Sequence, residues 1–468
     1  MTIPHYTQQQ DTICAPATAG GTAAIAVIRI SGPQTFALME KIFYPVSQNT
    51  CISNAKSHTI HLGHIRHGEE LIDEVLLSIF RHPHSYTGED LAEISCHGSE
   101  YIRQRIIELL LSKGIRLAEP GEFTMRAFMN GKMDLSQAEA VGDLVAARSQ
   151  SQHQLALQQM RGGYSGIMKD LRQKLLNFTS LLELELDFSE EDVEFADRTK
   201  FMELIEKIKQ QVYKLLDSFR TGNVLKKGVP VTIAGKPNSG KSTLLNALLN
   251  DERAIVSEIP GTTRDSIEDS IVIDGVSFRF IDTAGLRKSS ESIENLGIEK
   301  THEKIRQAAI VLYLFDASKT SLEEVKLELS ELQQNIDISN KRFIILGNKI
   351  DMLMSSPKHF SEMVEMETIF ISAKRKENLK MVTDSLLHSV DHDKIETDTI
   401  VSSSRHYEAL SKALNAMENV ENGMKQDKPA DLLSIDLHTA LHYIGSITGD
   451  ISNEEILSNI FSNFCIGK

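Results

Sequence analysis

The sequence predicts a multidomain chain of mixed α+β and α/β class. An amino-terminal α+β domain precedes a helical domain, into which a P-loop domain with a doubly wound, mostly parallel sheet is inserted. Three observations lead there: short β-rich runs and one helix up to about Met133, long glycine-poor helical text on both sides of the middle, and repeated strand–loop–helix text from Gly228 to about Ala373. The 468 residues suffice for roughly three domains. With 41% hydrophobic and 25% charged residues the composition is globular, which excludes disordered and collagen-like classes. The strongest apolar runs, Ile310 to Phe315 and Ala23 to Ile28, are strand-length, so no membrane span is expected. Met1 to Asp11 is polar and has neither a basic nor an apolar leader region, so a cytoplasmic location is expected. Cys14, Cys51, Cys96 and Cys465 have no CxxC spacing, which fits neither a zinc site nor a disulfide scaffold. With 50 Lys and Arg against 65 Asp and Glu, the net charge of −15 argues against a general nucleic-acid coat. Any RNA contact must be local or shared.

In the first domain, strands are read at Ala24 to Ile30, Leu76 to Phe80 and Leu91 to Ser95, and a helix near Tyr101 to Leu111. Ser31-Gly32-Pro33 and Pro120-Gly121 punctuate them. At Asp134 the carboxylate can cap a helix while Gln137 reaches back, and helical spacing then runs through Leu155, Leu171, Leu175 and Leu182. A second helical tract covers Phe201 to Phe219, and a third runs from Arg405 to the end. The boundaries are therefore 1–133, 134–227, 228–384 and 385–468. Three beads on a string remain open, because sequence alone does not show that the flanking helices pack together.

The middle segment carries the chemistry. The β-rich run Val231 to Ala234 leads into Gly235-Lys-Pro-Asn-Ser-Gly240-Lys241-Ser242 and a helix from Thr243, a P-loop in its strand–loop–helix context. Backbone N–H groups of Asn238, Ser239, Gly240 and Thr243 can surround phosphates, Lys241 meets the β- and γ-phosphates, and the Ser242 hydroxyl can ligate Mg²⁺. Asp282-Thr283-Ala284-Gly285 follows the strand Phe278 to Ile281, bringing a carboxylate to Mg²⁺ and a glycine N–H to the γ-phosphate. Asn348-Lys349-Ile350-Asp351 follows Phe343 to Leu346, and a carboxylate there accepts from guanine N1–H and the 2-amino group. Ser372-Ala373-Lys374, after Thr368 to Ile371, adds donors for the guanine oxygen. Four elements in order predict GTP binding; in an ATP enzyme Asn348 and Asp351 would have no base to read.

Where Ras-like GTPases carry a water-orienting Gln, this chain has Leu286. Glu291, Glu294 and Glu299 follow as acidic candidates, each also readable as a solvated helix charge. The first switch falls on Ser257-Glu258-Ile259-Pro260-Gly261-Thr262-Thr263, whose threonines, Thr263 among them, can complete the Mg²⁺ shell. Arg264 reads either as a finger or as a surface charge. The Asn238 amide oxygen can ligate K⁺, with backbone carbonyls of Ser257, Ile259 and Thr262 adding ligands suited to a large ion.

With its Gly261-Thr262-Thr263-Arg264-Asp265 switch, Asn238-containing loop and terminal Phe464-Cys465-Ile466-Gly467-Lys468, the chain resembles the MnmE (TrmE) family of tRNA-modification GTPases. The resemblance extends to Val27 through Gly32, Tyr86-Thr87-Gly88-Glu89-Asp90, His97-Gly98, Pro120 through Phe123, Arg126-Ala127-Phe128 and Asn130-Gly131-Lys132. It implies a homodimer and a folate-binding-like first domain taking 5,10-methylene- or 5-formyl-tetrahydrofolate at Arg29, Glu93, Lys132 and Lys468. It also implies a flavoprotein partner, MnmG (GidA), in a heterotetramer or larger complex. The joint reaction would place an aminomethyl or carboxymethylaminomethyl group on C5 of the wobble uridine, position 34, of certain tRNAs. Among the acidic candidates it points to Glu294 as the group orienting water, and it gives Cys465 a catalytic part, although on composition Cys465 reads as a small packed residue. The K⁺ would accompany pairing of two G domains. One departure stands out: Ala19-Gly20-Gly21-Thr22-Ala23-Ala24 lacks the arginine often found before the family's first strand. His438 and His442 lie one helical turn apart and read as an ordinary helix face. A regulatory GTPase of the ribosome-assembly type, with binding-only flanking domains, is the alternative function.

Overall fold

The computed structural model describes residues 11–47, 51–187, 198–250, 269–281, 302–335, 341–353, 368–389, 400–426, 428–451, 454–462 and 464–467. The amino-terminal part builds one seven-stranded sheet from β1 (Ile13–Pro16), β2 (Ile25–Ser31), β3 (Phe43–Pro45), β4 (Thr59–His67), β5 (Glu70–Phe80), β6 (Leu91–His97) and β7 (Arg116–Leu117). Helices α1 (Thr35–Ile42), α2 (Glu100–Ser112) and α3 (Glu122–Met129) accompany it. The strand order is β3-β4-β5-β6-β2-β1-β7, antiparallel except for the β1–β7 pair. Alternation decides which face is covered: Ile28, Ile30, Val75, Leu77, Ile79 and Ile94 point into a core shared with Met39, Ile106 and Leu110. Their neighbours Arg29 and Glu93 therefore face the other way.

Helical text follows as α4 (Leu135–Ala146), α5 (Gln150–Met160), α6 (Gly163–Asp187) and α7 (Arg198–Lys227). The start of α4 is the reciprocal cap the sequence suggests: Gln137 N donates to Asp134 Oδ1 at 3.1 Å, and Asp134 N donates to Gln137 Oε1 at 2.9 Å. Gly162, at φ +84°, separates α5 from α6.

The P-loop region forms a second sheet from β8 (Val229–Ala234), β9 (Asp269–Ile273), β10 (Val276–Phe280), β11 (Ile310–Asp316), β12 (Arg342–Asn348) and β13 (Thr368–Phe370). Its helices include α8 (Lys241–Leu249), α9 (Leu322–Asn335) and α10 (Leu379–His388). The order is β13-β12-β11-β8-β10-β9, parallel except for the β9–β10 hairpin. Both faces are buried, which is why these strands read as continuous apolar runs: Ile310, Leu312 and Leu314 enter one core, Val311, Tyr313 and Phe315 the other. The order in which strands are added reverses at β8, with β9 and β10 on one side of it and β11 to β13 on the other; this is the topological switch point whose carboxyl edge gathers ligand-binding loops in such sheets.

The last tract breaks into α11 (Ser404–Lys425), α12 (Ala430–Thr448) and α13 (Glu454–Phe461) instead of running unbroken to the end. Pro429 caps α12, and Gly449 ends it at φ +86°. A Cβ on Gly449 would lie 2.7 Å from the Phe128 ring, so glycine is required there. Helix α12 packs on α6, with His438 Nε2 2.8 Å from Glu183 Oε1 and Arg172 Nε 3.6 Å from Asp450 Oδ2. The chain divides into two compact units, one of Met1–Val145, Gln159–Phe201 and Asn415–Lys468, the other of Ala146–Gln158 and Met202–Leu414. No helix among the described residues is long and apolar enough to cross a membrane.

Candidate functional site

At the carboxyl edge of the second sheet, the end of β8 turns into the loop Gly235 to Gly240 and then into α8. Gly235 sits at φ +139°, and a Cβ there would lie 2.0 Å from Leu314 O on β11. Gly240, at φ +103°, leaves 2.2 Å between a hypothetical Cβ and Asn348 Nδ2. These two glycines let the loop lie against its neighbours while the free N–H groups of α8 face outward, a ready anion cradle. Lys241 Nζ donates to Gly235 O and Lys236 O, each at 2.8 Å. Burial, with Lys304 nearby, holds its ammonium below the ordinary lysine range. Lys241 is thus a cation already over the loop, with its charge incompletely solvated.

The two segments expected from the sequence to read the base converge on the same loop. Buried Asn348 links its own segment to the loop and to segment 372–374: its Nδ2 donates to Ser239 O at 2.8 Å, and its Oδ1 accepts from Ala373 N at 3.0 Å. Lys349, at φ +68°, donates from Nζ to Asn238 O at 2.8 Å and pairs with Asp316 Oδ2 at 2.7 Å. The Ser372 hydroxyl donates to Asp351 Oδ1 at 2.7 Å, and that bond holds the Asp351 carboxyl below its ordinary range. Segments 236–242, 348–351 and 372–374 therefore form one site, although over a hundred residues separate the first from the others. Asp316 was missed by sequence reasoning; its signal is a carboxylate ending the apolar run Ile310 to Phe315. Ser257 to Thr263, Asp282 to Gly285, and Arg264, Leu286, Glu291, Glu294 and Glu299 lie outside the described residues.

A second constellation lies on the open face of the amino-terminal sheet. Arg29 and Glu93 are direct cross-strand partners on β2 and β6, with Arg29 Nη2 2.8 Å and Nε 2.9 Å from Glu93 Oε1. The guanidinium lies 5.2 Å from the centroid of the Tyr86 ring and 5.6 Å from that of Phe123. Lys132 Nζ donates to Pro83 O at 3.0 Å, in the loop that also carries Tyr86. The carboxyl-terminal tail reaches the same place. Gly467, at φ +96°, puts its Cα hydrogen where a Cβ would meet Pro16 O at 2.1 Å, and Gly467 O lies 3.5 Å from Arg29 Nη1. Phe464 packs over Gly142, where a Cβ would come within 2.9 Å of its ring, and Cys465 O accepts from Gly121 N at 3.4 Å. The Cys465 side chain is exposed, so it is not the packed small residue that composition suggests. Lys468 lies outside the described residues. Tyr86, in the loop before β6, and Phe123, on α3, were not singled out as site residues; only the tertiary fold brings their rings beside Arg29.

Residues 12–132 match the family model described as the GTP-binding protein TrmE N-terminus, and residues 135–465 match the MnmE helical domain. The tRNA modification GTPase MnmE of Flavobacterium psychrophilum is 52% identical over 459 residues, covering 98% of this chain and 99% of that protein. The protein of the same name from Bacteroides thetaiotaomicron is 50% identical over 474 residues, covering 98% of this chain and all of its own. Among solved structures, the G domain of the T. maritima FeoB iron transporter is 21% identical, with a TM-score of 0.26, covering 35% of this chain and 99% of that one. Matched over nearly its whole length at about half identity, the chain belongs to the MnmE family of tRNA-modification GTPases.

Proposed function

We propose that this GTPase works as a cytoplasmic homodimer with a flavoprotein partner, MnmG (GidA), in a heterotetramer or larger complex. Together they add an aminomethyl or carboxymethylaminomethyl group to C5 of uridine 34 in certain tRNAs. The observation that carries this reading is the convergence of the Cys465 tail with the Arg29–Glu93 pair on one sheet face. A cation, a carboxylate and aromatic rings suit a folate, which offers glutamate carboxylates, a pterin amino group and flat rings. Arg29, Glu93, Lys132 and Lys468 would hold 5,10-methylene- or 5-formyl-tetrahydrofolate, which supplies the one-carbon unit. Cys465, exposed in the tail whose Gly467 O lies near Arg29, would act in the transfer chemistry.

In the nucleotide site, Asn238, Ser239, Gly240, Lys241, Ser242 and Thr243 would bind GTP together with Ser257 to Thr263 and Asp282 to Gly285. Asn348, Lys349, Asp351, Ser372, Ala373 and Lys374 would read guanine. Ser242 and Thr263 would hold Mg²⁺, and Asn238, Ser257, Ile259 and Thr262 would hold K⁺, positive charge that offsets what grows on the phosphates. Glu294 would orient the attacking water, since Leu286 has no polar group for it. Packing of α6 on α12, which flank the middle segment, supports an insertion with segments 1–133, 134–227, 228–384 and 385–468. Mass analysis of wobble nucleosides in cells lacking this protein tests the reading: loss of the C5 substituent is expected. Unchanged uridine 34 would leave a regulatory GTPase of the ribosome-assembly type.

A further inference from the structure

Helix α9 lies beside the outer side of the phosphate-binding loop. A cavity of about 280 Å³ there is lined by Lys236, Ser239, Tyr313 and Glu328 among others. Glu328 projects from α9 with its side chain only 18% exposed, and both carboxylate oxygens are engaged. Oε1 pairs with the Lys236 ammonium, while Oε2 accepts from the Tyr313 hydroxyl. Tyr313 is 3% exposed and fixed in β11, so the carboxylate is anchored to the sheet on one side and grips the loop on the other. Lys236 is itself the residue whose carbonyl receives Lys241 Nζ at 2.8 Å. Contacts thus run without a gap from Tyr313 through Glu328 and Lys236 to Lys241.

We propose that Glu328 is a positioning residue for nucleotide binding: by gripping Lys236 from α9 it fixes the first half of the P-loop, and with it the place where Lys241 meets the phosphates. Glu328 makes no contact with nucleotide in this role. Lys236 is 60% exposed, so the pair is screened by salt and its effect is modest. A looser loop binds and holds nucleotide less well, so the effect falls on affinity more than on turnover.

The test uses the full-length protein with GTP turnover and release of fluorescent GDP as readouts. Glu328→Gln and Lys236→Met should each raise KM for GTP and speed GDP release roughly three- to fivefold, with kcat changing less than KM. The double variant should be no worse than either single one, and Lys236→Arg should restore wild-type values. Added choline chloride should raise KM more steeply in the wild type than in Glu328→Gln. If Glu328→Gln does not fold, Lys236→Met and Lys236→Arg decide the matter alone, since Lys236 lies at the surface. Wild-type KM and GDP release in Lys236→Met, additive effects in the double variant, or a fall in kcat at constant KM would each overturn the assignment.

Discussion

Asp351 is an acceptor held by Ser372, whose hydroxyl keeps the carboxyl below its ordinary range. Asp351→Asn replaces an acceptor by a donor at the guanine amino group, so GTP affinity should fall roughly 10- to 100-fold while xanthosine triphosphate, with a 2-oxo group there, gains. Competition binding with the two nucleotides checks it, and an unchanged preference for GTP would refute the assignment. Asn238 poses a different question. Its backbone is pinned at φ +62° by Lys349, yet its side chain is exposed at the rim of the loop. GTP hydrolysis should run markedly faster in K⁺ than in Na⁺ at equal ionic strength, and Asn238→Ala should abolish the difference. Equal rates in both salts for the wild-type protein would end the cation mechanism.

Individual elements stand or fall on their ends. The P-loop needs Gly235 because the chain passes beside β11 at φ +139° with no room for a Cβ. Gly235→Ala should therefore cost about 2 kcal/mol or more, read as an earlier urea transition of the nucleotide-binding unit, because strain and overlap add. A transition at the wild-type urea concentration would mean that the loop yields freely. For α4 the corresponding device is polar: Asp134→Ala removes the acceptor for Gln137 N and should cost about 1 kcal/mol in the amino-terminal unit.

At the scale of a whole unit, the amino-terminal part is tied together by charge. Arg126, 7% exposed, reaches Asp11 Oδ1 at 2.7 Å, Glu122 Oε1 at 2.9 Å and Glu89 Oε1 at 3.2 Å, and Arg116 joins Asp11 to Glu122. These links join the start of β1, the loop before β6, β7 and α3. Burial works against ionising Asp11 and Glu122, yet the two guanidinium groups outweigh it and hold both carboxyls below their ordinary range. Depressed folded values mean that this stabilisation is complete above the unfolded carboxyl range, about pH 4, and is lost as pH falls through the folded values. The thermal midpoint of this unit should accordingly drop steeply below about pH 4. Arg126→Met should lower the midpoint at pH 7 and flatten its acid slope; a slope as steep as that of the wild type would place the titration elsewhere.

Local chemistry determined much of this protein before any tertiary contact. The P-loop, the segments at Asn348 and Ser372, the Asp134–Gln137 cap and the strands β2, β5, β6, β8 and β10 to β13 are written in neighbouring residues, because phosphate cradles, caps and pleats are built within a few positions of the chain, whereas β1, β3, β4, β7 and β9 were not read from the sequence. Even Asp351, the carboxylate proposed to read guanine, is picked out by its spacing from Asn348. The third helical tract was legible only as helical text: its breaks at Pro429 and Gly449 gain their meaning from Phe128, which fills the space a side chain on Gly449 would need. Tertiary structure alone decided that Arg29 meets Glu93, that the Cys465 tail reaches them across more than four hundred residues, and that Glu328, one carboxylate among several on α9, grips the phosphate loop. The reason is physical: these contacts join side chains far apart in the chain, and the register of strands and the packing of helix on sheet bring them together only once both cores have closed.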